Sequence, residues 1–259
     1  MKLGIVCPGE KFASAAKAGF EYVEPPLAPL RALPGPELRK ISEAAENAGV
    51  SIDGFCCFFE GHVKLYGPDR TPVLDYAKRN FEICAGFGAA YTVIGSGFNR
   101  RVPPGMNRAD AEKEFTELVS RIGETAKKYK IEIYVEPLSK AETDLINTLS
   151  DGIRVSRAAG RDNVRPLVDF YHFYVNGEDP DELDLLAHGE LGHVHLARPD
   201  ADRRAPSEED APVLAVWAEK LRSAGYDGRI TAECAWGGDF DGEAARASSV
   251  IRKYFFTRE

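Results

Sequence analysis

Residues that commonly bind divalent metal ions follow four short apolar runs in the second half of the chain. The runs are "IEIYVE", "VRPLVD", "GHVH" and "RITAE", and they end on Glu136, Asp169, His195 and Glu233. Carboxylate oxygens and an imidazole nitrogen are the donors that hard or borderline divalent ions prefer. If the four runs are neighbouring parallel strands, their ends meet at one edge, and the four side chains can bind one ion there.

The alternative explanation is that each acid simply caps the helix that follows its strand. Four such residues in succession are hard to explain as caps, because unpaired carboxylates repel one another in a partly dehydrated site. A divalent cation removes that repulsion. No cysteine is among the four donors, which argues against a structural zinc and favours a catalytic ion. Mn²⁺ is the expected ion, with Mg²⁺, Co²⁺ and Zn²⁺ as alternatives.

The four runs belong to a longer repeat in which a helical pattern is followed by a short β-rich run. Helical spacing between the runs is clearest where Phe115, Leu118, Val119 and Ile122 recur on one face, and a weaker helix is predicted at 181–188. Eightfold alternation of strand and helix predicts parallel strands. The eight strands are expected within residues 2–6, 18–24, 48–54, 87–94, 129–136, 163–169, 191–196 and 226–233.

Two architectures fit this alternation: a closed barrel and an open doubly wound sheet. An open sheet usually carries a glycine-rich phosphate loop after its first strand, whereas this chain has "CPGEKFAS" there. The length of 259 residues matches one eight-stranded barrel. We therefore predict an α/β fold, a single (β/α)₈ TIM barrel that forms one domain over residues 1–259. Such barrels place their reactive groups at the C-terminal ends of the strands, where the four donors lie.

Composition excludes several classes of function. The net charge of −8 makes nucleic acid a poor partner, because an acidic surface repels phosphate. Five scattered cysteines without a C-x-x-C motif are typical of a reducing compartment. The first apolar run is too short for a signal peptide, and no stretch is long enough to span a membrane. We expect a cytoplasmic protein without a membrane partner.

The motifs together resemble one known family. "YVEPLSKAETDLINT", "VDFYH", "GHVHLARPDADR" and "TAECAW" are similar to the xylose-isomerase-like barrels, which are sugar and sugar-phosphate isomerases and epimerases that include ketose 3-epimerases and hydroxypyruvate isomerase. The motifs E-P-L, D-x-x-H, H-x-H and a final Glu come in the family's order, and the resemblance covers nearly the whole chain. It implies the same four metal ligands: Glu136, Asp169, His195 and Glu233.

The resemblance also implies residues that hold the substrate. In the family, a Glu six residues after the first ligand and the His of D-x-x-H hold one end of the sugar, and here these are Glu142 and His172. Epimerases commonly follow H-x-H with G-E-x-N-R, whose arginine contacts substrate. This chain instead has "HLARPDADRRAP", in which Arg198 comes earlier than the pattern and Arg203 and Arg204 come later. Arg198 is the predicted substrate arginine.

Aromatic rings near the strand ends could line the substrate pocket, because ring faces stack on sugar C–H surfaces. The candidates are Trp236, which follows Glu233 closely, and His62, in the segment after the third strand.

The implied activity is metal-dependent isomerisation or epimerisation of a sugar, sugar phosphate or polyol in carbohydrate metabolism. The ion would polarise a carbonyl, and Glu136 and Glu233 would exchange a proton at the neighbouring carbon through an enediolate. A dehydratase or a lyase that cleaves C-glycosides would use the same base and expel a β-leaving group. An abasic-site endonuclease of the same superfamily fits less well, because it needs more histidines and a surface that attracts phosphate. Family members often pair, so a homo-oligomer stays open.

Overall fold

The computed structural model describes residues 1–200 and 202–257, and within these residues nine parallel strand segments form one sheet. Two of them, Ser51–Ile52 and Gly54–Phe55, are separated by Asp53 alone, and we treat them as two halves of one strand, β3. The other strands are β1 Lys2–Ile5, β2 Tyr22–Val23, β4 Tyr91–Ile94, β5 Glu132–Val135, β6 Val164–Asp169, β7 His193–Leu196 and β8 Arg229–Ala232.

The strands form a nearly closed ring. Each pairs in parallel with the next in sequence, and β8 pairs back with β1. The first half of β3 pairs with β2 and the second half with β4, so the interruption at Asp53 is bridged by the chain itself. This is the (β/α)₈ barrel predicted from the alternating pattern. Seven of the eight strands lie within the expected ranges, and β3 extends one residue beyond its range, to Phe55.

Helices surround the ring. The α-helices are α1 Phe12–Lys17, α2 Gly35–Ala48, α3 Thr71–Gly86, α4 Gly97–Arg100, α5 Arg108–Lys127, α6 Leu149–Ala159, α7 Phe170–Val175, α8 Ala211–Ser223 and α9 Phe240–Ile251. Short 3₁₀ segments lie at Gly9–Lys11, Ala28–Ala32, Pro180–Leu185 and Glu208–Asp210, and α9 continues as a π-helix over Arg252–Phe256. The prediction of an α-helix at 181–188 is therefore wrong, because the six residues Pro180–Leu185 form a 3₁₀ segment there. The sequence pattern also does not predict α7, which follows β6 directly.

Local signals explain where the main helices begin. Asn107 caps α5 by accepting a hydrogen bond from the Asp110 N–H, and Thr148 and Asp151 form a capping box at the start of α6. The predicted apolar face of α5 is buried, with Phe115 and Ile122 each at most 1% exposed. Burial of that stripe on the barrel decides the helix face.

The barrel interior is filled by pairing the smallest residue with a large one. Gly4 of β1 is the register partner of Tyr22 of β2, and Gly54 of β3 is the partner of Tyr91 of β4. A Cβ at Gly4 would lie 2.1 Å from the Tyr22 ring, and one at Gly54 would lie 2.3 Å from the Tyr91 ring. Both tyrosines are fully buried, so the glycines leave the space that the rings occupy.

No α-helix within residues 1–200 and 202–257 combines the length and the apolar character that crossing a lipid bilayer requires.

Replacing Gly4 by Ala should destabilise the barrel by about 2 kcal/mol, because the added methyl group overlaps a ring that the core holds in place. Urea unfolding followed by circular dichroism measures the change. Gly86→Ala is the matched control: Gly86 is the last residue of α3 and a Cβ there would contact nothing within 4 Å. A Gly4→Ala protein as stable as the Gly86→Ala protein would contradict this account of the interior.

Candidate metal centre

Register places the four predicted donors at one end of the barrel. Asp169, the last residue of β6, is the direct register partner of His195 in β7. Glu136 and Glu233 each continue the hydrogen-bonded ladder one step beyond their strands, since the Glu136 N–H donates to the Ile94 carbonyl and the Glu233 N–H donates to the Leu196 carbonyl. The side chains therefore converge at the C-terminal ends of β5 to β8.

The four side chains offer one donor atom each, and these atoms all lie within 4.8 Å of one another. His195 Nδ1 lies 2.6 Å from Glu233 Oε2 and 3.2 Å from Glu136 Oε1. Glu136, Asp169 and His195 are at most 6% exposed, and the Glu233 side chain is 16% exposed. The cluster is thus largely removed from water but open on the Glu233 side, and its donors are close enough to share one ion.

The other nitrogen of His195 faces the barrel interior. His195 Nε2 lies 2.9 Å from Oε1 of Glu24, which follows β2 and is fully buried. From the sequence alone Glu24 is only a weak pocket-lining candidate, because a single acid after a short strand carries little signal. The structure makes it the partner of a predicted metal ligand.

The charges of the cluster shift the pKa values of its members. Burial raises the pKa of Glu136, and the Glu233 carboxylate adds to that rise. Burial also opposes ionisation of Glu233, but the positive charges of Arg203 and His195 outweigh it and lower the Glu233 pKa to about 2. Burial disfavours the charged form of His195, yet Glu233 and Glu24 raise the His195 pKa well above its usual value. His195 therefore supplies one of the positive charges that the carboxylates require when no ion is bound.

Arg203 supplies the second positive charge. One terminal nitrogen of its guanidinium lies 2.6 Å from Asp169 Oδ2 and 2.6 Å from Glu233 Oε2, so it bridges two of the predicted ligands. Its Nε donates to the Glu233 carbonyl, and the guanidinium stacks over the Tyr171 ring at 5.0 Å. The Arg203 backbone has a φ of 53°, in the left-handed region that few non-glycine residues adopt.

Gly95, directly after β4, and Arg100, the last residue of α4, hold Glu136 in place. Arg100 is fully buried, and its guanidinium donates to the carbonyl of Glu136 at 2.8 Å and to that of Ile146 at 3.3 Å. Gly95 leaves room for the carboxylate, because a Cβ there would lie 2.1 Å from Glu136 Oε2. The sequence pattern assigns neither residue to the metal centre, since their proximity depends on how the loop folds back over β5.

The structure brings two of the predicted substrate residues to the edge of the cluster. His172 is 1% exposed; its Nδ1 accepts a hydrogen bond from the Ser139 N–H, and its Nε2 lies 3.5 Å from Asp169 Oδ2. Glu142 is 44% exposed, and its Oε1 lies 3.7 Å from His172 Nδ1 and 3.2 Å from the Ser139 hydroxyl.

Three other predicted substrate residues lie elsewhere in the described chain. Arg198 forms ion pairs with Glu209 at 2.7 Å and Asp210 at 3.1 Å. Trp236 is half-buried and donates to the Val6 carbonyl. His62 is exposed and contacts the Tyr76 ring edge-on. Their substrate contacts stay predictions, and Arg203, rather than Arg198, reaches the cluster.

Comparison with known proteins identifies the family. A family model described as xylose isomerase-like TIM barrel matches residues 12–254. The chain belongs to this family. The match confirms the resemblance seen in the sequence motifs.

Relatives in the family are named for reactions on sugars and related small molecules. A protein of Streptomyces coelicolor provisionally named hydroxypyruvate isomerase is 31% identical over 248 residues, covering 89% of this chain and 86% of that protein. The 3-dehydro-D-guloside 4-epimerase of Escherichia coli is 26% identical and covers 76% of each chain. The structure of D-psicose 3-epimerase with D-tagatose from Clostridium cellulolyticum H10 superposes with a TM-score of 0.84 at 18% identity, over 98% of this chain and 99% of that one.

Gly95→Ala should displace the Glu136 carboxylate while preserving the fold, because the clashing atom is the end of a flexible side chain. We expect a roughly 100-fold loss of catalytic efficiency, the size of effect that a misplacement of about 1 Å can cause, together with weaker Mn²⁺ binding by titration calorimetry. Gly238→Ala is the control, since Gly238 lies in the loop after β8 and a Cβ there would contact nothing within 4 Å. Equal Mn²⁺ affinity in the two variants would show that Gly95 has no such role.

Proposed function

We propose that residues 1–259 act as one barrel domain that catalyses divalent-metal-dependent isomerisation or epimerisation of a sugar or a related small hydroxy-carbonyl compound. The observation that carries the proposal is the cluster of Glu136, Asp169, His195 and Glu233 at the C-terminal ends of four successive strands. The named activities of the relatives support the same class of reaction.

The residues fit a divalent ion. Three carboxylates and one imidazole give the oxygen-rich donor set expected for Mn²⁺, with Mg²⁺, Co²⁺ and Zn²⁺ as alternatives. Their mutual distances allow one shared centre, and their negative charge is only partly offset by Arg203 and His195. A bound ion would act as a Lewis acid on the carbonyl of the substrate.

Proton transfer is assigned to Glu136 and Glu233. They project from β5 and β8, on either side of the two intervening strands that carry Asp169 and His195. One carboxylate removes the proton next to the carbonyl to give an enediolate, and the other returns a proton to the opposite face. Their environments differ, since burial raises the pKa of Glu136 while Arg203 and His195 lower that of Glu233. Such a difference is typical of paired acid–base groups.

His172 is assigned to the substrate. Its Nδ1 accepts the Ser139 N–H, so in the neutral ring the proton lies on Nε2. Nε2 is buried and makes no hydrogen bond within the described residues. A buried N–H donor without a partner is costly, and a substrate oxygen beside Asp169 would satisfy it. Glu142, which is more exposed than His172, would hold a neighbouring hydroxyl of the substrate.

Glu136→Gln and Glu233→Gln should each reduce turnover by at least about 100-fold, because each removes an acid–base group. The measurement is deuterium incorporation from D₂O into a panel of ketoses and hydroxy-carbonyl acids by the Mn²⁺-loaded protein. Incorporation should also stop after removal of the ion with a chelator. Glu219→Gln, an exposed position on α8, is the matched control.

Three outcomes would contradict the assignment. Absence of exchange with every compound would reject isomerisation, and loss of a hydroxyl or glycosidic group without simple exchange would indicate a dehydratase or lyase. Cleavage of DNA at abasic sites would indicate an endonuclease.

Arg203→Gln should raise KM and lower kcat/KM by roughly 10- to 100-fold, the loss expected for a charge-assisted hydrogen bond. We expect this because Arg203 is the arginine that reaches Asp169 and Glu233 and can contact a substrate held between them. Arg198→Gln should change kcat/KM by about twofold or less, since Arg198 pairs with Glu209 and Asp210. A larger loss in the Arg198 variant would restore Arg198 as the substrate residue.

A further inference from the structure

A second group of candidate ligands lies beneath the metal centre. Glu24, His193 and His195 place one donor atom each within 4.8 Å of the others, and all three residues are fully buried. His195 belongs to both groups, with Nδ1 toward Glu233 and Nε2 toward Glu24. The lower group is either a second cation site or a hydrogen-bonded support for the upper one.

Hydrogen bonding decides in favour of a support. Glu24 Oε2 accepts from the Tyr91 hydroxyl at 2.6 Å, the Thr231 hydroxyl at 2.9 Å and His193 Nε2 at 2.9 Å. Glu24 Oε1 accepts from His195 Nε2 at 2.9 Å. Four donors occupy the lone pairs that a cation would need. The Glu24 carboxylate is therefore already saturated by hydroxyl and imidazole donors.

We propose that Glu24 is a positioning residue that fixes a proton on His195 Nε2, so that Nδ1 is the nitrogen left to bind a metal ion. The proposal rests on the metal-dependent function argued above. Since Glu24 Oε1 accepts from Nε2, the proton of the neutral imidazole is fixed on Nε2, and the lone pair is left on Nδ1. Nδ1 is the atom that lies 2.6 Å from Glu233 Oε2 and 3.2 Å from Glu136 Oε1. Glu24 thus presents a metal-binding lone pair to the cluster.

Glu24 can do this because the barrel interior holds it rigidly. The Tyr22 hydroxyl contacts the Thr231 hydroxyl at 2.7 Å, and Thr231 in turn donates to Glu24. Together with Tyr91 and His193, these residues form a hydrogen-bond network around Glu24 that involves four strands, β2, β4, β7 and β8. Partners of this kind orient metal-binding histidines and commonly affect affinity by about 10- to 100-fold.

Glu24→Gln is the informative variant. A glutamine amide has one oxygen and one NH₂ in place of two acceptor oxygens. The oxygen should turn toward the three donors on the Oε2 side, which leaves the NH₂ facing His195. The NH₂ then donates to His195 Nε2, so the imidazole proton moves to Nδ1 and blocks the metal-binding position. We expect the Kd for Mn²⁺ to rise by about 10- to 100-fold in titration calorimetry.

Long-range ¹H–¹⁵N NMR on histidine-labelled protein provides a readout that a general loss of stability would not change. With only five histidines in the chain, His195 can be assigned. In the wild-type protein loaded with diamagnetic Zn²⁺, Nε2 should carry the proton and Nδ1 should not. In Glu24→Gln at the same total Zn²⁺, the proton should appear on Nδ1.

Tyr91→Phe is the matched control, because it removes a donor to the other oxygen of the same carboxylate and leaves the His195 contact intact. It should bind Mn²⁺ with an affinity close to that of the wild type and keep the proton on Nε2, because Thr231 and His193 still donate to the oxygen that Tyr91 contacts. Unchanged affinity and tautomer in Glu24→Gln would overturn the proposal, while the metal-dependent function would stand. Uptake of two ions per wild-type chain, one of them lost in Glu24→Gln, would overturn it in favour of a second cation site. A wild-type chain that takes up no divalent ion would instead reject the proposed function, and the role of Glu24 with it.

Discussion

The structure depends on one electrostatic constraint: three carboxylates are held together where little water can screen them. Glu136, Asp169 and Glu233 converge because register brings the ends of their strands to one level, not because they attract one another. Like charges at such distances interact strongly when they are partly desolvated. The surroundings must therefore supply positive charge, and the described part of the chain does so with His195 and Arg203.

The packing of the barrel interior helps to stabilise the charges of this cluster. Glu233 and Glu24 together allow His195 to carry a charge inside the fold, and hydrogen bonds from four donors stabilise the buried Glu24 carboxylate. One of those donors is the Tyr91 hydroxyl, and the Tyr91 ring fits inside the barrel because Gly54 of the neighbouring strand leaves the space. The packing of the barrel core thus affects the hydrogen bonds and charges of the site directly.

The sequence revealed those features of the site that depend on local pattern. Alternation of strand and helix is local, and so is the residue that ends each strand, so the barrel and the meeting of Glu136, Asp169, His195 and Glu233 could be predicted. Glu24 and Arg203 act through contacts between residues that are far apart in sequence. His195, the partner of Glu24, lies 171 positions away in the sequence. Periodicity in a single sequence does not indicate which interior side chains will contact one another.

Arg203 shows why the arginine near the cluster was the hardest part of the site to predict. Arg198 follows the H-x-H motif more closely in the sequence than Arg203 does, and is therefore the predicted substrate arginine. Which arginine side chain reaches the cluster depends, however, on how the loop folds. Here the Arg198 N–H donates to the Arg204 carbonyl and the Ala235 N–H donates to the Arg203 carbonyl, which fixes the loop with Arg203 at a positive φ. That conformation costs on the order of 1 kcal/mol or more, and the ion pairs with the cluster offset it. Because the four clustered donors would suit several reactions, the loop that carries Arg203 is where we expect the choice of substrate to be determined.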